Sequence, residues 1–478
     1  MPAIKNNSMM IQTRRTDTHT KTTDFTKAYN LTVFFRHVAL IILMLLPLAG
    51  KADNPLDTLT RKINLVEPMF RPLSTEIEGK LQSILDEYSP KTRIGFCVYD
   101  LTDDKMLYQY NSKELFRPAS TQKLLTSITA LHTLGGSYNF KTSIYYSGEI
   151  KDSVLTGDLY VVGGFDPALD SNDLQMLVND ITRYNIKRIA GHVYYDVSMK
   201  DDTQVTQGWP RSSRPVLDPL VLNRGRNFMP SFMEKLYDKG IAVDSGYTAK
   251  VCPKGLTVMT QCSHSIEQIL FRMLKRSDNL YAEATFYQLA ALMNDSNATN
   301  MDAAKVINAQ IRKVGMNPDD YKIIDGSGLS YDNAVSPELE IAFLKYAYEN
   351  PDIYKYLYAS LPIAGVDGTL SRRMQNTTAY HNVRAKTGTL NGLSSLAGYA
   401  TASNGHQLAF CIINQGFPRR LYAYEFQRDI CAALTMKPSE PTIPSLGDSL
   451  FIATNDTIQP HEIHTDSISR PDIAKAGR

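Results

Sequence analysis

The chain has 478 residues, of which 43% are hydrophobic and 21% charged, with a formal net charge of +2. That length holds two or three domains with a substantial core, and the composition excludes fibrous, low-complexity and disulfide-scaffold classes. The near balance of charge leaves no electrostatic footprint for nucleic acid.

In chain order, residues 1–30 are polar and rich in Thr and Lys. An unbroken apolar run, Val38 to Ala49, follows Arg36 and His37, and small residues follow it in Ala49-Gly50-Lys51-Ala52. This reads as a secretory signal cleaved near Ala49 to Ala52. The run is shorter than the roughly 20 residues a membrane span takes; an uncleaved anchor is the alternative. The leading region is long for a signal, so an internal start at Met9 or Met10 is open. No Cys follows the run directly, which argues against a lipoprotein. A periplasmic, exported protein is expected, with weak membrane association left open.

Helical spacing covers Thr75 to Tyr88, with Ile77, Leu81, Ile84 and Leu85 on one face. Arg93 to Tyr99 and Met106 to Tyr110 read as strands joined at an Asp-Asp-Lys turn. After a helix at Leu124 to Leu134 the texture becomes short β-like runs with Gly/Asp turns. Thr142 to Tyr146, Gly157 to Val162 and Gly191 to Asp196 are the clearest strands, with a helix at Asp173 to Tyr184 and another at Met233 to Gly240. Helices return at Ile266 to Arg276, Leu280 to Met293, Asp302 to Val314 and Ser336 to Glu349. A final β section opens at Lys386, continues through Ser395 to Tyr399 and Gln407 to Asn414, and a helix at Leu421 to Leu434 closes it. The tail beyond Lys437 is rich in Ser, Pro, Thr and Asp and is expected to be disordered.

The five cysteines (Cys97, Cys252, Cys262, Cys411, Cys431) are too few for a scaffold. Cys252 and Cys262 either pair across a short loop or, like the rest, are small buried apolar residues. His461-Glu462-Ile463-His464 lies in the polar tail and is read as solvated, so no metal and no cofactor is expected.

The chemistry starts at Arg117-Pro118-Ala119-Ser120-Thr121-Gln122-Lys123. Pro118 precedes a helix start, which places Ser120 in the first turn, where free N–H groups and the dipole favour negative charge. Lys123 is three residues on, on the same face, so its amine reaches the Ser120 hydroxyl. Serine needs an adjacent base to be a nucleophile, and a neutral lysine is one. Alone, this S-x-x-K reads more readily as a capped surface helix than as a catalytic pair. Two further motifs follow in order: Ser277-Asp278-Asn279 between two helices, and Lys386-Thr387-Gly388-Thr389 opening a strand. S-x-x-K, S-D-N and K-T-G together are the signature of penicillin-binding proteins and class A β-lactamases.

The likeness extends to Asp325-Gly326-Ser327-Gly328-Leu329-Ser330, to Leu361 through Leu370, to Gly157-Asp158-Leu159-Tyr160 and to Gly208-Trp209-Pro210. On these segments the chain resembles the class C low-molecular-mass penicillin-binding proteins, D-alanyl-D-alanine carboxypeptidase/endopeptidases, over roughly residues 70–435. The resemblance implies an α+β fold of the serine β-lactamase/DD-peptidase type, an antiparallel sheet flanked by helices, with one inserted mostly-β domain. The divisions expected are 1–52 for the extension and signal, 53–140 and 265–436 for the DD-peptidase domain, 141–264 for the insertion and 437–478 for the tail. Larger members carry a further domain inside the insertion. Here Leu222-Asn223-Arg224 runs almost directly into the next helix, so that domain is expected to be missing. An acidic residue that some relatives offer to the substrate side chain has its equivalent at Gln204, beside Asp201 and Asp202, which puts side-chain specificity in doubt.

By that resemblance Ser120 attacks the penultimate D-alanine carbonyl and Lys123 takes its proton, with the cation of Lys386 disfavouring a charge on Lys123. Ser277 relays the proton to the leaving amine and Asn279 holds the substrate backbone. Lys386, Thr387, Gly388 and Thr389 bind the terminal carboxylate side, and the N–H groups of Ser120 and Thr389 form the oxyanion hole. The implied partners are peptidoglycan stem peptides, with diaminopimelate expected as third residue, and β-lactams as acylating inhibitors. Oligomeric state is open. Asp325-Gly326-Ser327-Gly328 is read as a structural turn near the site and Trp209 as packing. A β-lactamase, which needs a deacylating carboxylate and shows no E-x-x-L-N here, an esterase, and a non-catalytic wall-binding scaffold are the other readings of the same fold.

Overall fold

The computed structural model describes residues 73–437 apart from 204–205, 211–213 and 295. The signal run, the tail with its His-Glu-Ile-His segment, and Gln204 lie outside the described residues. Five antiparallel strands form the main sheet in the order Arg384–Leu390, Leu393–Thr401, Gln407–Gln415, Arg93–Asp100, Lys105–Tyr110. The two ends of the chain therefore meet inside one sheet, with Cys97 opposite Cys411 in register.

Leu393–Thr401 and Gln407–Gln415 are buried on both faces, so they read as apolar runs rather than alternations. Their side chains still divide with the period of two that a strand imposes. Ile94, Phe96, Val98, Leu396, Leu408, Phe410 and Ile412 pack with the helices Leu73–Tyr88 and Arg420–Leu434. Cys97, Leu393, Ala397, Tyr399, Ala409, Cys411 and Ile413 face the opposite way, toward the helix Gln122–Leu134 and its neighbours. Each large apolar side chain so enclosed contributes about 1.5–3 kcal/mol. The sheet is thus a wall with a helical layer on each side.

Gln122–Leu134 and Asn279–Ala291 are buried nearly all round, the mark of helices that run through a core rather than over it. Both start beside the site. Asp278 caps the second through the Leu280 N–H at 3.1 Å. Ser277, which is followed by that cap, does not cap the helix itself.

The chain leaves the main body on Asn139–Tyr146 and returns on Thr257–Ser265, and these two strands pair antiparallel with Asn139 opposite Ser265. Between them lie a five-stranded sheet ordered Tyr247–Ala249, Val193–Asp196, Leu159–Gly163, Asn139–Tyr146, Thr257–Ser265 and a four-stranded sheet of short strands. Ile144, Leu159, Val161, Leu174, Leu177, Phe228, Phe232 and Met259 make a core drawn entirely from this segment. The helix expected at Asp173 to Tyr184 runs Ser171–Thr182, because Asp170 and Asp173 form a reciprocal cap. The one expected at Met233 to Gly240 starts earlier, as Phe228–Asp238. A helix with no expectation in the sequence, Pro351–Ser360, follows Pro337–Glu349 after a single residue. All five cysteines are free, and all but Cys252 are buried, so the Cys252–Cys262 pairing is not formed.

Candidate active site

Ser120 sits in a 3-10 turn, Ala119–Thr121, just ahead of the α-helix that begins at Gln122. The sequence placed it one step further in. Ala119 is held at φ +49°, an unusual value for a residue with a side chain. Three contacts fix this turn. Ser395 Oγ donates to Pro118 O at 2.6 Å, Thr121 Oγ1 lies 2.8 Å from the same carbonyl, and Thr121 Oγ1 meets Glu340 Oε1 at 2.6 Å. Gly328 passes so close that a Cβ there would stand 1.7 Å from Ala119 O.

Lys123 is fully buried one turn on, and its Nζ has three acceptors: Ser120 Oγ at 2.9 Å, Asn279 Oδ1 at 2.8 Å and the Ser327 carbonyl at 2.7 Å. The last two accept only. A neutral amine that keeps those two N–H bonds has its lone pair left for the Ser120 hydroxyl. Burial lowers the Lys123 amine to about 8, against the opposing pull of Asp325, Glu283 and Asp278. The cause expected from sequence, a second cation at Lys386, is not the leading one; desolvation is.

Lys386 is also wholly buried and donates to Ser277 Oγ at 2.8 Å and to the Thr387 carbonyl at 2.6 Å. Burial, then the Lys123 charge, pushes its amine well below the usual lysine value. Ser277 holds φ +57° in the inter-helix loop, and its hydroxyl meets the Lys386 amine. Thr387 Oγ1 donates to Thr369 Oγ1 at 2.7 Å. Gly388 lies against the Ser120 turn, where a Cβ would stand 2.9 Å from Ser120 N and from Pro118 O. Thr389, next on the strand, is exposed. Ser120 and Asn279 therefore converge on the Lys123 amine and Ser277 on that of Lys386, and the Lys386 strand abuts the Ser120 turn.

The supports come from farther along the chain. Asp278 pairs with Arg224 at 2.7 Å and Arg272 at 3.1 Å. Buried Lys275 donates to the Leu361 carbonyl at 2.6 Å and pairs with Asp367 at 2.5 Å, tying the Ser277 loop to the segment that carries Thr369. Asp325 is fully buried and accepts from Trp209 Nε1 at 2.6 Å and from the Gly328 and Ser330 N–H groups, which ties down the turn holding the Ser327 carbonyl.

The described chain matches the model of the D-Ala-D-Ala carboxypeptidase 3 (S13) family over residues 77–217 and 220–435. The chain belongs to that family. This S13 member is a serine-type D-Ala-D-Ala carboxypeptidase. It is 24% identical over 412 residues to D-alanyl-D-alanine carboxypeptidase DacB of Haemophilus influenzae, covering 68% of this chain and 86% of that protein. It is 24% identical over 441 residues to a D-alanyl-D-alanine carboxypeptidase of Actinomadura sp., covering 72% and 81%. The crystal structure of penicillin binding protein 4 (dacB) from Haemophilus influenzae has the same fold, with a TM-score of 0.67 at 22% identity over 73% of this chain and 98% of that one.

Four groups of this S13 carboxypeptidase's site were not read from sequence. The Ser327 carbonyl is backbone and has no signature. Thr369 lies in a segment noted only for its family likeness. Glu283 and Glu340 are wholly buried carboxyls, each inside or at the start of a helix. A signal for Glu283 was present: it is the one acid in the apolar stretch after Asn279, four residues on and so on the same face.

Proposed function

We propose that this carboxypeptidase cleaves the terminal peptide bond of D-Ala-D-Ala stem peptides through an acyl enzyme on Ser120. The neutral Lys123 amine takes the Ser120 proton as the hydroxyl oxygen attacks the penultimate D-alanine carbonyl. The oxyanion is met by the N–H groups of Ser120 and Thr389, commonly the largest electrostatic contribution to such a step. As the tetrahedral intermediate collapses, the C–N bond breaks and the leaving amine takes a proton through Ser277, which Lys386 holds by hydrogen bond. Water then attacks the ester, gives its proton back to the site and releases the shortened peptide, leaving Ser120 free.

Asn279 in this reading has two duties: its Oδ1 fixes Lys123 and its amide N–H₂ binds the substrate backbone. Lys386 is too buried for a direct salt bridge to solvent-borne carboxylate, so Thr387 and Thr389 make that contact within its field. The observation that carries the reading is the Lys123 amine, whose two acceptor-only partners leave its lone pair for Ser120. β-lactams acylate the same serine, in keeping with a β-lactam complex of the Haemophilus influenzae penicillin binding protein 4, a structure of TM-score 0.62. Residues 141–264 form an inserted domain, a division supported by their separate core and by their exit and return on paired strands. Export to the periplasm rests on the run at 38–49; no helix of the described residues is long and apolar enough to cross a membrane.

Release of D-alanine from a peptide ending in D-Ala-D-Ala, against hydrolysis of a simple ester, tests the activity. Peptide turnover lost in Ser120→Ala is the expected result. Ester turnover without peptide turnover favours the esterase, and neither reaction favours the scaffold.

A further inference from the structure

Glu283 stands in the middle of the buried helix Asn279–Ala291 and is 1% exposed. It lies one turn beyond Asn279, on the face that Asn279 presents to Lys123. Its Oε1 accepts the Ser327 N–H at 2.8 Å. The carbonyl of that same residue accepts from Lys123 Nζ. Glu283 and Lys123 thus hold two ends of one residue. Oε2 of Glu283 is buried without a hydrogen bond of ordinary geometry among the described residues, although the Gly326 N–H also faces the carboxyl. An ionised carboxylate so placed is far more costly than a neutral carboxyl.

We propose that Glu283 is a positioning residue for the proton of Lys123: neutral, it leaves the amine free to act as base, and ionised, it holds a third proton on the amine up to higher pH. The ionisable groups around the pair are few. Asp325 faces Glu283 from the turn, Tyr287 follows it on its own helix, and Asp278 and Lys386 face Lys123 from the cap and the sheet. Burial, then Asp325, raises the Glu283 carboxyl to about 8, and the Lys123 charge pulls the other way. The amine titrates in the same range. Two interacting groups in one range lose their protons as a pair.

The test is the pH dependence of acylation by a fluorescent penicillin in Glu283→Gln, which keeps the Ser327 contact and cannot ionise. The acid limb should move to lower pH by about one unit, the effect of removing a nearby opposite charge, and narrow to a one-proton step. At a pH below the limb that is up to tenfold faster acylation relative to the plateau. A limb that stays in place while the plateau falls overturns the proposal. If Glu283→Gln does not fold, carbon-13 NMR of the wild-type Lys123 Cε decides, its signal assigned by absence in Lys123→Met: titration in two steps supports the pair and a single step overturns it. The inference rests on Lys123 as base; that reading fails separately, if Lys123→Met acylates at the wild-type rate.

Discussion

Gly388→Ala tests how tightly the Lys386 strand is set against the Ser120 turn. The added methyl would stand 2.0 Å from Ser395 Oγ and 2.9 Å from Pro118 O and Ser120 N. Contacts involving carbon relax only near 3.5 Å, so each of these atoms must move. Ser395 cannot swing away freely, because its hydroxyl is buried and donates to Pro118 O at 2.6 Å. Pro118 O and Ser120 N belong to the turn already held at an unusual Ala119 φ. Overpacking costs about 1–3 kcal/mol and the loss of one buried hydrogen bond about 1 kcal/mol. The expected destabilisation is therefore about 2–4 kcal/mol. A displacement of about 1 Å at the serine lowers the rate by up to about 100-fold. Urea unfolding gives the first figure and stopped-flow acylation by a fluorescent penicillin the second. Adding Ser395→Ala removes the worst contact and should restore part of the stability. Stability within about 0.5 kcal/mol of wild type together with an unchanged acylation rate would refute the packing argument.

Other consequences follow from the buried charges. In the proposed mechanism Lys123 works uncharged, and burial lowers its folded-state value to about 8, so acylation should rise with pH up to about 8 and level off above it, which a rate profile reads directly. The same shift means the unfolded chain binds more protons between about 8 and the ordinary lysine range. Stability contributed by this group therefore rises with pH there, by at most about 3 kcal/mol; the difference between wild type and Lys123→Met on urea unfolding isolates it. Glu340 has the opposite sign. Burial raises its carboxyl to about 7, against the Thr121 and Cys411 hydrogen bonds, so the folded state holds a proton that the unfolded chain gives up near the ordinary glutamate value. Stability should fall as pH rises between about 4.5 and about 7, and Glu340→Gln should flatten that slope. Asp278→Ala removes a helix cap and the partner of two half-exposed arginines, for about 1–2 kcal/mol in melting experiments, and should lower kcat by loosening Ser277 and Asn279.

Much of the candidate site's grouping was legible because its side chains are concentrated in three short motifs whose order and spacing survive in the linear chain. The sheet was legible where turns and apolar runs bound each strand, as at Gln407–Gln415. Boundaries moved where a side chain makes the cap: the helix expected from Asp302 begins at Asn300, because Thr299 and Asp302 cap it reciprocally. Pro351–Ser360 escaped because Asn350-Pro351 reads as the break after one helix, while here Pro351 opens the next. The two-residue strands Arg188–Ile189 and Ala242–Val243 are too short to show any period. The cause of the Lys123 shift was misread for a related reason. Neighbouring charges can be inferred from motifs, but complete burial of an amine is a property of the assembled core.

The most direct test of Ser120 as the nucleophile is intact mass after incubation with a penicillin, for wild type and Ser120→Ala. A stable adduct of one drug mass on the wild type, mapped to the Ser120 peptide and absent from Ser120→Ala, is the expected result. Fast turnover of the penicillin with no stable adduct would point to a β-lactamase, and an adduct that persists in Ser120→Ala would contradict the assignment outright.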